Sequence, residues 1–178
     1  ERRAPDWAAL RLMETILCSS AGFTNRLAQR VREQNGLAYD GGGSITGGAG
    51  GAAGPFEIVL GVEAKDKDRA IALVRGELKR FLADGPTEDE VRDARRYLLA
   101  SYAAAWETSD SVASWLLEAK RHGLGLDYAA RFHREVSAVT REEVVRVARQ
   151  RIDLGALITV VVGPVDKNGK LLEGAQDQ

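Results

Sequence analysis

Hydrophobic and polar positions alternate along this chain in two periods, and each change of period marks a boundary between elements. Over residues 6–18, Leu10, Met13, Ile16 and Leu17 recur at helical spacing, which predicts an amphipathic helix. Pro5 and Asp6 suit its start, and Ser19-Ser20-Ala21-Gly22 breaks it. Leu27 and Val31, four apart, mark a second helix that stops at Asn35-Gly36, where glycine tolerates the positive φ of a helix end. The period then falls to two. Leu37, Ala38 and Tyr39 begin an extended run, and Phe56, Ile58, Leu60 and Val62 alternate on one face of another. Residues 37–46 and 56–64 are therefore expected to pair as an antiparallel hairpin.

Helical spacing returns over residues 66–83, where Ile71, Val74, Leu78, Phe81 and Leu82 form a stripe closed by Asp84-Gly85-Pro86. Thr87 and Glu90 have the spacing of a capping box, and the helix they open carries Val91, Ala94, Leu98, Leu99 and Tyr102 on one face. A helix from Ser109-Asp110 to His122 is expected to turn Val112, Trp115, Leu116 and Ala119 inward. Gly123 and Gly125 then interrupt before a shorter helical piece over 128–136. A second box, Thr140 with Glu143, opens a helix burying Val144, Val147, Ala148 and Ile152. Residues 157–162, LITVVV, are β-branched without alternation, as expected of a strand central in its sheet or covered on both faces. Gly163-Pro164 ends it. The tail over 166–178 is polar and expected to fray, with Leu171-Leu172 able to dock. Three strands among many helices, with no internal repeat, predict an α+β domain over 1–165. Its sheet would be mostly antiparallel, with helices packed on one face.

Composition narrows the partners. The 178 residues fit one domain with a genuine core. With 25 basic and 26 acidic side chains and a net charge of −1, the chain has no electrostatic footprint for nucleic acid or an anionic membrane. Cys18 is the only cysteine, so no intrachain disulfide forms, and its apolar neighbours predict burial. No run approaches transmembrane length or reads as a signal peptide. The opening ERRAPDW lacks an initiator Met, which suits a processed or excised piece of a longer polypeptide.

Candidate chemistry is sparse. The two histidines, His122 and His133, are eleven apart across Gly123 and Gly125, and neither lies in H-x-x-E-H, so neither is expected to bind metal. Eight of the fourteen residues from Gly41 to Gly54 are glycine. A phosphate cradle would need GxxxxGK[ST] and a helix directly after it. A glycine-rich hairpin connection is the plainer reading, and a nucleotide or phosphate binder remains the rival. The most informative corner is Arg32 at a helix end and Tyr39 on the following strand, which the bend at Gly36 is expected to bring together. On the residues alone, Arg32 could equally bond the last helix carbonyls and Tyr39 could be an ordinary strand aromatic.

The stretch LAQRVREQNGLAY resembles the arginine-tyrosine signature of the insulinase/pitrilysin family of zinc metallopeptidases, in the half of those enzymes that lacks zinc. The order of elements resembles the same processing-peptidase-like metallohydrolase domain, down to the Gly-Pro-Thr-Glu-Asp-Glu turn and the terminal Val-Val-Val-Gly. Family domains begin with a strand before the first helix. The resemblance therefore implies that this chain lacks that strand, leaving an open sheet edge at which a second copy could pair. It also implies roles. Arg32 would hold a substrate carbonyl and Tyr39 would donate to its oxygen as charge develops, with Arg30, nine residues before Tyr39, a weaker substitute. Gly41 to Gly43 would let an extended peptide lie against the strand edge. Zinc would sit in a complementary domain or subunit and not in this chain, which would be inactive alone. The alternative is a structural or assembly subunit of the same fold, as in respiratory-complex core proteins. By the same resemblance the setting would be an exported bacterial enzyme, with the cytoplasm as runner-up.

Overall fold

The first helix is buried on almost every side, more fully than its predicted stripe. In the computed structural model, which describes residues 1–19, 25–104, 106–166 and 169–172 and only the backbone of Tyr39, α1 spans Trp7–Glu14 and continues as a π-helical turn over Thr15–Ser19. Trp7, Ala8, Ala9, Leu12, Met13, Ile16, Leu17 and Cys18 are all buried, whereas Leu10 is only half-buried. A helix apolar around most of its circumference belongs at the centre of a core, and later helices surround this one. The expected break at Ser20, Ala21 and Gly22 lies outside the described residues.

The second helix begins at Arg26 because Asn25 caps it: the Asn25 side chain accepts from the Ala28 amide at 2.8 Å. After one turn, α2 (Arg26–Ala28), it widens into a second π-helical turn over Gln29–Glu33. Gly36, at φ +63°, ends it as predicted, with its amide donating to the Arg32 carbonyl and Leu37 N–H to the Val31 carbonyl. Arg26 fixes this helix to the next layer. Its guanidinium lies over the Phe81 ring, donates to both Glu90 carboxylate oxygens at 2.6 and 2.7 Å, and reaches the Gly85 carbonyl at 3.0 Å.

The predicted hairpin forms as β1 (Ala38–Ser44) and β2 (Glu57–Val62), paired antiparallel. Ile58, Leu60 and Val62 turn inward and the residues between them face solvent, which fixes the register. The helices follow in the expected order: α3 (Lys67–Asp84), α4 (Glu88–Ala104), α5 (Ser109–Arg121), α6 (Tyr128–Ala138) and α7 (Arg141–Arg151). Both capping boxes are present. The Thr87 and Thr140 side chains accept from the Glu90 and Glu143 amides, and each glutamate accepts in return from the threonine N–H. Helices α4, α6 and α7 pack against α1, and Leu78, Phe81, Val91, Val136, Val144 and Val147 close the core around it.

Two expectations fail. Leu116 was assigned inward on α5, but it is 43% exposed; Ala119 is the buried residue, with Trp115 half-buried and hydrogen-bonded to the Tyr102 hydroxyl at 2.6 Å. The larger correction concerns residues 157–162, which form no strand. The run follows α7 but joins no ladder among the described residues, and Ile158, Val160 and Val162 are 90%, 79% and 94% exposed. β-branched composition favours extended backbone, but a strand also needs a neighbour, and no described segment supplies one. Among the described residues the sheet therefore has two strands rather than three. In the tail, Val165 bridges Leu171 and the Leu172 amide donates to the Pro164 carbonyl, so this part turns on itself; Leu172 is exposed rather than docked, and 173–178 lie outside the described residues.

One contact positions the hairpin. Glu14 is almost fully buried at the end of α1, and its Oε1 accepts from Ser44 Oγ (2.7 Å) and from the amides of Ile45 (2.9 Å) and Thr46 (3.2 Å). Its Oε2 accepts from Thr46 Oγ1 and Arg11 Nη1, both at 2.6 Å. Burial alone would raise its pKa, but the Thr46 hydroxyl, the Arg11 charge, Ser44 and the Thr46 amide outweigh it and hold the carboxyl below the ordinary value. The folded-state pKa is thus depressed. The stability it contributes is complete above the unfolded value near 4.5 and is lost as pH falls through the folded one. Glu14→Ala leaves two buried amides without acceptors, at about 1–3 kcal/mol each. Glu14→Gln is expected to lower Tm at neutral pH and to flatten the acid limb of the stability curve below about pH 4.5, measured by thermal melts across pH.

Candidate functional site

The bend at Gly36 folds the end of the second helix back over the start of β1, and a shallow cleft of about 20 Å³ lies between them. Leu27, Val31, Ile58 and Leu60 supply its apolar lining, and Arg32, Asp40 and Gly42 also border it. It is far smaller than the several hundred Å³ of a pocket that encloses a ligand, so it suits contact with a backbone lying across it.

Arg32 reaches this cleft because of the π-helical turn. The Gln34 amide donates to the Gln29 carbonyl, an i→i−5 bond that inserts an extra residue and shifts every later side chain around the axis. Arg32 keeps about a third of its side chain exposed and sits 3.9 Å from Glu33 Oε1. Arg30, the weaker candidate, points elsewhere: its Nη1 donates to Gln34 Oε1 at 2.9 Å, and it does not line the cleft.

Tyr39 stands at an irregularity in the hairpin. Ala38 pairs with Val62 and Asp40 with Gly61, so β1 holds one extra residue there, a β-bulge centred on Tyr39. Such bulges bend a strand and redirect a side chain. The cleft is bordered by the residues on either side, Ala38 and Asp40; the Tyr39 side chain is outside what the structure describes. The sequence did carry a signal for this bulge. Gly61 is a lone glycine within the alternating β2 pattern, and the Asp40 carboxylate occupies the space its Cβ would fill.

The glycines expected to admit a peptide divide into two kinds. A Cβ on Gly41 would stand 2.5 Å from Leu60 Cδ2, and one on Gly43 would stand 2.8 Å from the Glu57 carbonyl and 3.0 Å from Cys18 Cβ. Both are needed by the protein's own packing. Gly42 alone faces open space, with nothing nearer than the Cys18 carbonyl at 3.9 Å. Behind them Cys18 is buried, and desolvation together with the Glu14 charge pushes its thiol up to about 12, so it is no nucleophile.

The histidines do not converge. His122 Nε2 lies 3.0 Å from Glu118 Oε2, which also pairs with Arg2, and its ring packs against Gly50, while His133 is exposed on α6. Among the described residues, no group of three or more His, Cys, Asp or Glu is arranged to hold a metal ion. These side chains do not fit a zinc site.

Comparison with known proteins bears on the family and the fold. The chain is 26% identical over 165 residues to a protein of Helicobacter pylori named "Non-peptidase homolog YmxG", a match covering 92% of this chain and 37% of that protein. Its fold matches the peptidase M16 inactive domain from Pseudomonas fluorescens with a TM-score of 0.75 and 30% identity, over 86% of this chain and 36% of that one. It also matches the inactive peptidase domain of a candidate zinc protease from Bordetella parapertussis, with a TM-score of 0.65 and 20% identity, over 83% of this chain and 78% of that one. The chain thus spans a little over a third of the length of the first two relatives. Residues 1–98, which include the second helix, the Gly36 bend and the hairpin, match the family model described as the peptidase M16 inactive domain, and the chain belongs to that family as a domain of the non-zinc kind.

Proposed function

We propose that this domain is the substrate-binding half of a two-part zinc peptidase and that it supplies hydrogen-bond donors, while a companion domain or subunit supplies metal and base. The observation that carries the reading is the Arg32-lined cleft beside the Tyr39 bulge, built by a π-helical turn and a bent strand rather than by regular elements. A guanidinium and a phenol both offer directed donors at neutral pH. Arg32 would hold a backbone carbonyl of an extended peptide lying over the cleft. Tyr39 would donate to the carbonyl oxygen as it gains charge, a bond that strengthens in the transition state and so lowers the barrier. The zinc would activate the attacking water on the companion, and this chain's part is to bind, orient and neutralise. The solved domain from Bordetella parapertussis, named as part of a candidate zinc protease, supports a companion of that kind.

A second reading rests on the Helicobacter pylori relative, which is named a non-peptidase homolog. In it the same fold serves as an inactive structural or assembly subunit, and the cleft binds without turnover. The presence of H-x-x-E-H in the companion separates the two readings.

With the companion present and an unfolded peptide as substrate, Arg32→Ala and Tyr39→Phe are each expected to lower kcat by roughly 10²–10³-fold. The unfolding free energy of Arg32→Ala should stay within about 1 kcal/mol of wild type, because that side chain is partly exposed. Equal turnover by wild type and both variants would overturn the assigned roles. Gly42→Val meets no close neighbour at its Cβ and should fold normally. It is expected to weaken peptide affinity by about tenfold in a titration monitored by fluorescence anisotropy, a loss of roughly 1.4 kcal/mol. Unchanged affinity would place the peptide elsewhere.

A further inference from the structure

The π-helical turn that carries Arg32 leaves one backbone acceptor without its usual partner. In a regular α-helix the Gln34 amide would donate to the Arg30 carbonyl, four residues back. Here it donates to the Gln29 carbonyl at 2.9 Å instead. The two carbonyls after Arg30 are taken up by the bend, where the Gly36 amide donates to Arg32 and the Leu37 amide to Val31. The Arg30 carbonyl is met by a side chain: Asn35 Nδ2 donates to it at 2.7 Å. The other end of the same amide is held as well, since Asn35 Oδ1 accepts from Arg69 Nη2, in the first turn of α3, at 3.1 Å. A flipped amide would set its NH2 against a guanidinium and its oxygen against a carbonyl, so the two bonds together fix which way the side chain points.

We propose that Asn35 is a positioning residue: by supplying the donor that the wide turn withdraws from the Arg30 carbonyl, it keeps the turn wide and Arg32 aimed at the cleft. Without that donor, the carbonyl regains a protein partner when the Gln34 amide moves back to it. The turn then closes to α-helical spacing and rotates Arg32 away by part of the roughly 100° that separates neighbours on a helix. An unpaired carbonyl in a partly buried position is unfavourable, and this drives the return. Arg69 extends the device beyond its own helix, because it ties the aim of Arg32 to α3.

Asn35→Asp is nearly isosteric and keeps an acceptor for Arg69 but lacks the donor, and Asn35→Ala lacks both. In wild type, a trans-hydrogen-bond NMR coupling is expected between the Gln34 amide nitrogen and the Gln29 carbonyl carbon. In Asn35→Asp it should pass to the Arg30 carbonyl carbon, and a coupling that stays on Gln29 would overturn the proposal. The consequence for turnover rests on the peptide-binding reading of Arg32, and a double-mutant cycle separates the two. With the companion present and an unfolded peptide as substrate, Asn35→Ala and Asn35→Asp should each lower kcat about tenfold to a hundredfold, the scale of a small misplacement of a substrate-holding group. In the Arg32→Ala background the same changes should lower it less than about twofold, because a residue that acts only through Arg32 has nothing left to aim. Equal losses in both backgrounds would mark a general structural effect and overturn the positioning role. An Arg32→Ala variant as active as wild type would instead remove the peptide-binding reading, and the NMR coupling would still decide whether Asn35 sets the turn.

Discussion

A buried carboxylate holds the end of the hairpin to the first helix, and the geometry of the cleft depends on it. Glu14 lies at 2% exposure among apolar neighbours, where an unpaired charge would be very costly. It is kept ionised by two backbone amides, two hydroxyls and a guanidinium, and all but the Arg11 contact come from Ser44, Ile45 and Thr46. Those three residues are where β1 ends and the glycine-rich connection begins. Glycine supplies neither side-chain contacts nor backbone restraint, so a segment so rich in it needs an external anchor to hold the strand in register. The carboxylate provides that anchor from the most deeply buried helix in the domain.

The same division of labour recurs at the other end of β1. The helix that carries Arg32 is short and contains a π-helical turn, so its own hydrogen bonds fix it poorly. Arg26 compensates by gripping Glu90 and Gly85 and stacking on Phe81, which joins this helix to the turn between α3 and α4. Two charged side chains, one at each end, therefore locate a cleft whose lining is otherwise apolar. Neither touches the cleft's open face, which leaves Arg32 exposed enough to meet a ligand.

Local signals made most elements legible in the sequence. The two capping boxes, the Gly36 stop and the alternation from Phe56 to Val62 depend on neighbours within a few residues, and each appears in the structure. What was hidden depends on distant parts of the chain. Glu14 reads as a polar position on an amphipathic helix, and nothing nearby in sequence says that residues thirty positions on will bury it. The π-helical turns leave the residue pattern unchanged, so Arg32 could be placed at the helix end but not aimed. Leu116 shares a periodicity with buried neighbours, yet α5 lacks a layer over that side. The segment 157–162 is the clearest case: its composition favours a strand, whereas a ladder is a property of two segments and only one is read. Arg32 was thus foreseeable as a candidate, and the bulge at Tyr39 was hinted at only by Gly61.

The chemistry follows from what the cleft lacks as much as from what borders it. Among the described residues no metal-binding cluster stands near Arg32, the carboxylate that borders the cleft with it is Asp40, and the thiol nearby is buried and held protonated. Donors placed in advance pay off only when charge develops on the group they face, and the proposed reading gives Arg32 and Tyr39 that part. Its shallowness points the same way, because a cleft this small excludes water only when a second surface closes over it. On the proposed reading, the π-helical turn that carries Arg32 and the bulge in the backbone at Tyr39 form a face that a companion domain would complete.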